Sequence, residues 1–508
     1  MNKQSRCRSQ FHRGQGMNHV EGYANGAIPP GSSGTHRMTK STERSPAENG
    51  HKPVADVASG ESVSQLLADY YRLQPDTLEF DVSKNLSEEA GFFKFGEDAV
   101  CFGRCAEGSR STLIDGHLYD TVTDVRESGS IVTLPFDPTE IVQNLRYERY
   151  LNHRDQWSQS ALHQLVTNAY YLVRPALHVS LRKWLQKVRL NGWQKLAFPH
   201  WPVDRTVERL MRRLLAFGLR GKGLEKIPFI WFWPDGMNAC AMMTHDLETK
   251  SGQSFCPQLM DIDEEYGIPA SFQIVPENRY PVTASFLDSL RDRGFEVNVQ
   301  DLNHDGRLFS EQKRFQQRAV KINGYAKEYQ ARGFRSAVLY RNQDWYSALD
   351  FEYDMSVPNV AHLDPQRGGC CTVMPYFVGK TLELPVTTTQ DYSLFHILND
   401  YSLTLWERQI GLILEEHGLI SFIAHPDYLI TKRAQDTYRR LLGLLKELRA
   451  RRRVWVARPQ EVNDWWRTRS RLRLKQDRGV WRIEGPGSEQ ARVAFATLCE
   501  GRLVYSVV

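Results

Sequence analysis

The chain has 508 residues, 41% hydrophobic and 25% charged, an ordinary composition for a globular protein of two or three domains. Its 65 basic and 60 acidic side chains leave a formal net charge of +5, too small an excess at this length to mark a nucleic-acid binder, and it carries no DNA- or RNA-binding motif. Eight scattered cysteines make neither a disulfide framework nor a zinc-finger spacing, and no apolar run reaches the roughly 18 residues of a membrane span, so a cytoplasmic setting is expected.

Residues 1–60 are rich in Gly, Ser, Asn, Arg and His without an apolar period, the composition of a disordered tail in which Met17 and Met38 are later candidate starts. An accessory region is expected over 61–225. Its first part holds short apolar runs broken by turns, "FFKFGEDAVCFGRC" and "GSIVTLPF", in which Phe92, Phe93, Phe95, Val100 and Phe102 predict short strands. "FDPTEIVQNLRYERYL" then opens a helix, with Asp137 or Thr139 as the cap before Ile141, Leu145 and Tyr147. In "RPALHVSLRKWLQKVRL" (174–190), Leu181, Trp184, Leu185 and Val188 share one helical face, and Arg182, Lys183, Lys187 and Arg189 make the remainder basic. That pattern suits a helix packed on its own domain with a solvated basic face. It also suits one in peripheral contact with a membrane surface.

From 226 to 467 apolar runs of four to seven residues alternate with longer helical stretches: "NACAMMT", "PASFQIV", "FEVNV", "FRSAVLY", "LISFIAH" and "VWVARP" are the expected strands. Such alternation, with Gly at helix ends, predicts an α/β fold with a parallel sheet, open or closed into a barrel. After 468 the pattern turns to short alternating runs with Gly and Pro turns, a small antiparallel β module expected to cover the bottom of the barrel or to bind carbohydrate.

In parallel sheets the chemistry collects where strands end. Here the strand ends are polar. "AMMT" runs into His245, Asp246 and Glu248. "FEVNV" runs into Gln300, Asp301, Asn303, His304 and Asp305. Arg335 opens the run "FRSAVLY" and Arg341 follows it, while "LISFIA" ends in His425 and Asp427. One such residue alone is an ordinary solvated loop, but four strand ends meeting at one rim predict a site.

From Asn238 to Trp466 the chain resembles the polysaccharide deacetylase (NodB-homology) family of carbohydrate esterases. "THDLE" resembles that family's first motif, usually Thr-Phe-Asp-Asp, and "QDLNH" its second, His-x-x-x-His. "GFRSAVLYRNQDW" resembles the Arg-containing third and "YDMSVPN" a fourth. "LISFIAHPDY" resembles the last, and "VWVARPQEVNDWW" the usual closing strand and helix. The resemblance implies a distorted (β/α) barrel of about seven strands, holding one divalent metal, often zinc, and removing acetyl groups from sugar polymers. An acetamide carbonyl needs polarisation and an activated water, and a metal with an open position supplies both.

Mapped on this chain, Asp246, Arg335 and His425 are the expected catalytic residues, as base, orienter and acid. Asp246, Glu248, His304 and Gln300 are the expected metal ligands. Two registers remain open at the first motif. Either Asp246 is the base and Glu248 the ligand, or Asp246 is the ligand and His245 the base. Strand pleating favours the first, or a shared role for the two carboxylates. Gln300 stands where the family has its first motif histidine, and Asp301 or Asp305 is an alternative donor. The expected partner is an acetylated carbohydrate, a polymer or a glycan precursor at the inner membrane face. The alternative to hydrolysis is a non-catalytic protein that binds or scaffolds in glycan assembly.

Overall fold

The sheet is built on β-runs that are apolar on both faces, as strands covered on both sides must be. The computed structural model describes residues 62–151 and 190–508, apart from 76, 107–110, 112–113, 115–116, 191 and 452. The expected tail 1–60 and, except for Leu190, the basic segment 174–190 lie outside the described residues.

In the first part of the chain a helix, α1 (Val63–Tyr71), is followed by five short strands. They are β1 (Glu79–Val82), β2 (Gly91–Lys94), β3 (Val100–Gly103), β4 (Arg126–Ser128) and β5 (Ile131–Leu134). β2 and β3 form a hairpin, and β1, β5 and β4 a separate small sheet. The predicted strand residues Phe92, Phe93, Val100 and Phe102 lie on the two strands, and Phe95 lies in the turn between them, packed against Phe136. The helix α2 (Pro138–Arg146) starts at Asp137, whose carboxylate accepts the Thr139 amide at 2.8 Å. A long amphipathic helix, α3 (Thr206–Gly221), leads into β6 (Lys226–Ile230).

The barrel follows. Its strands and helices in chain order are β7 (Ala239–Leu247), α4 (Lys250–Tyr266), β8 (Ala270–Ile274), α5 (Ala284–Asp292), β9 (Glu296–Gln300), α6 (Gln312–Glu328), β10 (Gly333–Arg335) and β11 (Tyr353–Asp354). After these come β12 (Tyr376–Val378), β13 (Thr381–Glu383), α7 (Thr404–Glu415), β14 (Leu419–Ile423), α8 (Lys432–Ala450), β15 (Val454–Val456) and α9 (Pro459–Arg471). Strand order is β12-β13-β11-β10-β9-β8-β7-β14, with β15 also on β7; all pairs are parallel except β12–β13.

The sheet curls until the chain beyond β13 meets β14, which gives the distorted barrel that the family resemblance implies. That seam is made largely by side chains. Thr387 Oγ1 donates to the Leu419 carbonyl (2.7 Å) and accepts the Ser421 amide (2.9 Å), and Thr388 Oγ1 donates to the Ser421 carbonyl (2.7 Å). A backbone bond from Leu419 to the Val373 carbonyl (2.8 Å) lies beside them.

One strand expectation is corrected. The run "FRSAVLY" is not a strand that Arg335 opens. β10 stops at Arg335, because the next turn takes Val338 to φ +59° and Leu339 to φ +54°, a left-handed backbone that breaks an extended strand. Arg335 therefore stands at the carboxyl end of its strand. The run 227–233 does not join the barrel sheet: β6 pairs with β18 (Val493–Cys499), which pairs with β19 (Arg502–Val507). Tyr505 of that sheet packs 5.7 Å from His417, just before β14, and His417 Nδ1 bonds to Asn238, just before β7. The C-terminal strands thus cover the amino ends of the barrel strands, opposite the predicted site.

Candidate functional site

Alternation along β7 sorts the first motif. Thr244, Asp246 and, one residue past the strand, Glu248 face the barrel axis; His245 and Leu247 face the helices. His245 is fully buried between layers, with Nε2 2.9 Å from Asp263 on α4, Nδ1 3.1 Å from the Ala424 carbonyl, and Tyr438 of α8 donating to the other Asp263 oxygen (2.6 Å). It is a structural tie between sheet and helices. The register that makes His245 the base is thereby corrected: its ring points out of the barrel.

Asp246 is 3% exposed. Its Oδ2 accepts Gln300 Nε2 at 3.2 Å and lies 3.5 Å from Arg335 Nη1. Arg335 is wholly buried and spends its other terminal nitrogen on Thr244 Oγ1 (3.1 Å). Instead of closing on one carboxylate, the guanidinium fork spans Asp246 and Thr244, since both face the axis two residues apart. Because a lysine ammonium cannot bridge two such points in a plane, Arg335→Lys is expected to lower acetate release by about 10²-fold, the scale of a roughly 1 Å misplacement. Wild-type activity in that variant, measured beside a melting curve, would remove the orienting role.

Glu248, 18% exposed at its side chain, stands between two imidazoles. Its Oε1 lies 2.7 Å from His304 Nε2 and 3.6 Å from His425 Nε2. Burial alone would raise its carboxyl, but the His304 and His425 rings outweigh that and hold it well below the usual carboxylate range. His425, just past β14, is clamped from the other side. Asp391 accepts its Nδ1 proton at 2.6 Å and its backbone amide at 2.7 Å. Against the lowering effect of burial, Asp391 and then Glu248 hold the imidazole well above its ordinary value. Nδ1–H is thus fixed toward Asp391 and Nε2 faces the cleft.

The second motif forms a tight turn with Asp301 at φ +51° and His304 at φ +54°. Asp301 Oδ1 accepts the Leu302 amide (2.6 Å), and burial raises its carboxyl. Asp305 is taken by Arg318 through two bonds of 2.8 and 2.6 Å, and so is no substitute ligand. Asp427 accepts the Gly252 amide (3.1 Å) and the Thr249 hydroxyl at the start of α4. Arg341 leaves the rim altogether to pair with Glu148.

The donor atoms suit a divalent cation in kind but not in arrangement. Asp246 Oδ1, Gln300 Oε1 and His304 Nε2 are buried without a well-aligned hydrogen-bond partner, the last meeting Glu248 only as a 2.7 Å ion-pair contact. Yet among the described residues no three His, Cys, Asp or Glu side chains stand together as a metal-holding group. The reason is visible at His304. Arg279 Nη2 donates to its Nδ1 at 3.0 Å and to its carbonyl at 2.7 Å. A guanidinium has only donors, so Nδ1 accepts and the ring proton sits on Nε2, the atom facing Glu248. A metal-ligating imidazole does the reverse: it keeps a free lone pair on one nitrogen and donates from the other.

Sequence reading missed Asp391, Arg279 and Thr244 as partners. Asp391 and Arg279 lie in loops, in "TTTQDY" and "PENRY"; the polar end of "PASFQIV" was the available signal for Arg279, while Asp391 lies well past β13 and had none.

No protein-family model and no curated protein matches the chain. Solved structures do. A Mycobacterium smegmatis protein assigned to the polysaccharide deacetylases is similar at 18% identity and a TM-score of 0.40, over 49% of this chain and 97% of that one. The CE4 domain of a multidomain xylanase from the hindgut metagenome of Trinervitermes trinervoides is similar at 13% identity and a TM-score of 0.28, over 45% and 90%. A mutant of a CE4 family pseudoenzyme with restored enzymatic activity is similar at 15% identity and a TM-score of 0.26, over 45% and 69%.

Proposed function

We propose that the chain is a hydrolase of the deacetylase type that removes acetyl groups from an acetylated carbohydrate. The observation that carries this reading is a pair of separately oriented proton-transfer groups facing one cleft: Asp246, held by Arg335 and Gln300, and His425, held by Asp391, with Glu248 between. Asp246 takes a proton from water, and Arg335 and Gln300 hold its carboxylate aimed. His425 gives a proton from Nε2 to the leaving oxygen or nitrogen. Sugar as the substrate class follows from the motif resemblance between Asn238 and Trp466. No step is assigned to a metal: in the arrangement present, Arg279 and Glu248 engage both nitrogens of His304.

The same His304 geometry, with an amide at Gln300, supports a second reading, a non-catalytic carbohydrate-binding protein. Acetate release from acetylated xylo-oligosaccharide and chitotriose separates the two. The wild type is expected to release acetate and Asp246→Ala to lose it. Elemental analysis adds the metal: Gln300→His is expected to raise zinc stoichiometry above the wild type, because zinc prefers an imidazole nitrogen to a neutral amide oxygen. No acetate from the wild type or from Gln300→His, with both folded, would sink the hydrolase and leave the binding protein.

A further inference from the structure

One feature of the rim has no task in proton transfer. Tyr428, three residues past His425, lays its ring 4.9 Å from the His425 imidazole. Two more rings pack on it: Tyr392 at 5.2 Å and His396 at 4.8 Å, themselves 5.4 Å apart. All three are half-buried. Tyr392 caps, and His396 lies on, a wide π-helical turn (Ser393–Leu398) whose Leu394 and Phe395 are buried in the core. Phe395 lies flat on Tyr401, 4.6 Å away, so the turn is anchored from below. Turns of this kind recur at functional sites. Its neighbour Asp391 is the residue that clamps His425, so one segment both orients the acid and presents the rings.

Position identifies the occupant. A proton leaving His425 Nε2 goes to the departing atom, so the fragment that carries that atom lies on His425's side of the cleft. The surface next to His425 is the Tyr428 ring, with Tyr392 and His396 beyond it. Two phenols and an imidazole offer flat, polarisable faces, and the carboxylates beside them, Asp391 and Glu248, are turned onto the His425 ring. Such a wall suits a neutral ring with a C–H face and hydroxyls at its edge.

We propose that Tyr392, His396 and Tyr428 form a pyranose-binding wall for the sugar unit that bears the leaving oxygen or nitrogen. The placement rests on the hydrolase reading; the binding does not need turnover. Calorimetric titration of the full chain with triacetylchitotriose and with xylotriose tests it. Saturable binding to at least one is expected, about 10-fold weaker in Tyr392→Ala and in Tyr428→Ala and largely kept in Tyr392→Phe. If Tyr428→Ala fails to fold, Tyr392→Ala and His396→Ala carry the comparison. No saturable binding by the wild type, or wild-type affinity in the folded alanine variants, overturns the wall. Ethyl acetate, which has no ring, separates this from the hydrolase reading. Its hydrolysis without trisaccharide binding sinks only the wall; trisaccharide binding without acetate release from any acetylated substrate sinks only the hydrolase.

Discussion

His425→Ala is expected to lower the rate of acetate release by about 10²–10⁴-fold, the contribution of a positioned acid to a leaving group. The expectation rests on how completely the ring is fixed. Asp391 bonds both its Nδ1 and its backbone amide, Tyr428 packs on its face, and only Nε2 is left toward the cleft, 3.6 Å from Glu248. His304, the imidazole across Glu248, is not placed to replace it, since it carries Arg279 on Nδ1 and Glu248 opposite Nε2. Steady-state rates on acetylated chitotriose check the figure. Elemental analysis of the same variant should show unchanged metal content; a loss of metal with the ring would make His425 a ligand and void its role as acid.

Glu148→Ala is expected to destabilise the fold by about 3–5 kcal/mol, the cost of leaving one partner of a buried pair behind. Glu148 follows α2 and reaches Arg341 on the loop after β10. It accepts Arg341 Nε at 2.7 Å, a second bond from Nη2, and the Gly369 amide at 2.5 Å. Both side chains are nearly inaccessible, 6% and 1% exposed. Removing the carboxylate strands a guanidinium and an amide in the interior, where water cannot reach them. The paired change Glu148→Met with Arg341→Met should recover part of the loss, because an apolar pair of similar volume has no charge to desolvate. Urea midpoints for the wild type and the two variants decide it; a single-variant loss under about 1 kcal/mol would mean that the pair is solvated and weak.

The sequence made legible whatever depends on a period. Two-residue alternation in "AMMTHDLE" put Asp246 and Glu248 on one face, and the structure has them there, with Gln300 and Arg335 around the first and His304 and His425 around the second. The apolar run "LISFIA" delivered His425 to the rim for the same reason. What escaped depends on chain paths without a period. Arg335 was read as the start of a strand because "FRSAVLY" is apolar throughout, and nothing in those letters announces a left-handed Val338. Asp391 and Arg279 act from loops that return to the site from elsewhere. The pairing of β6 with β18 joins segments more than 250 residues apart, which no local pattern encodes.

The seam between Thr387, Thr388 and β14 makes the barrel mechanically uneven around its circumference. Every other junction is a ladder whose peptide bonds strengthen one another and part only as a set. Here, beside the single backbone bond from Leu419, the links hang from threonine side chains, which can turn about one torsion and exchange a partner for water without moving the strands on either side. The two edges of β14 therefore belong to different opening units. The Ser421 amide, tied to a hydroxyl, will take up deuterium earlier than the Ala424 amide, tied across to the Thr244 carbonyl of β7.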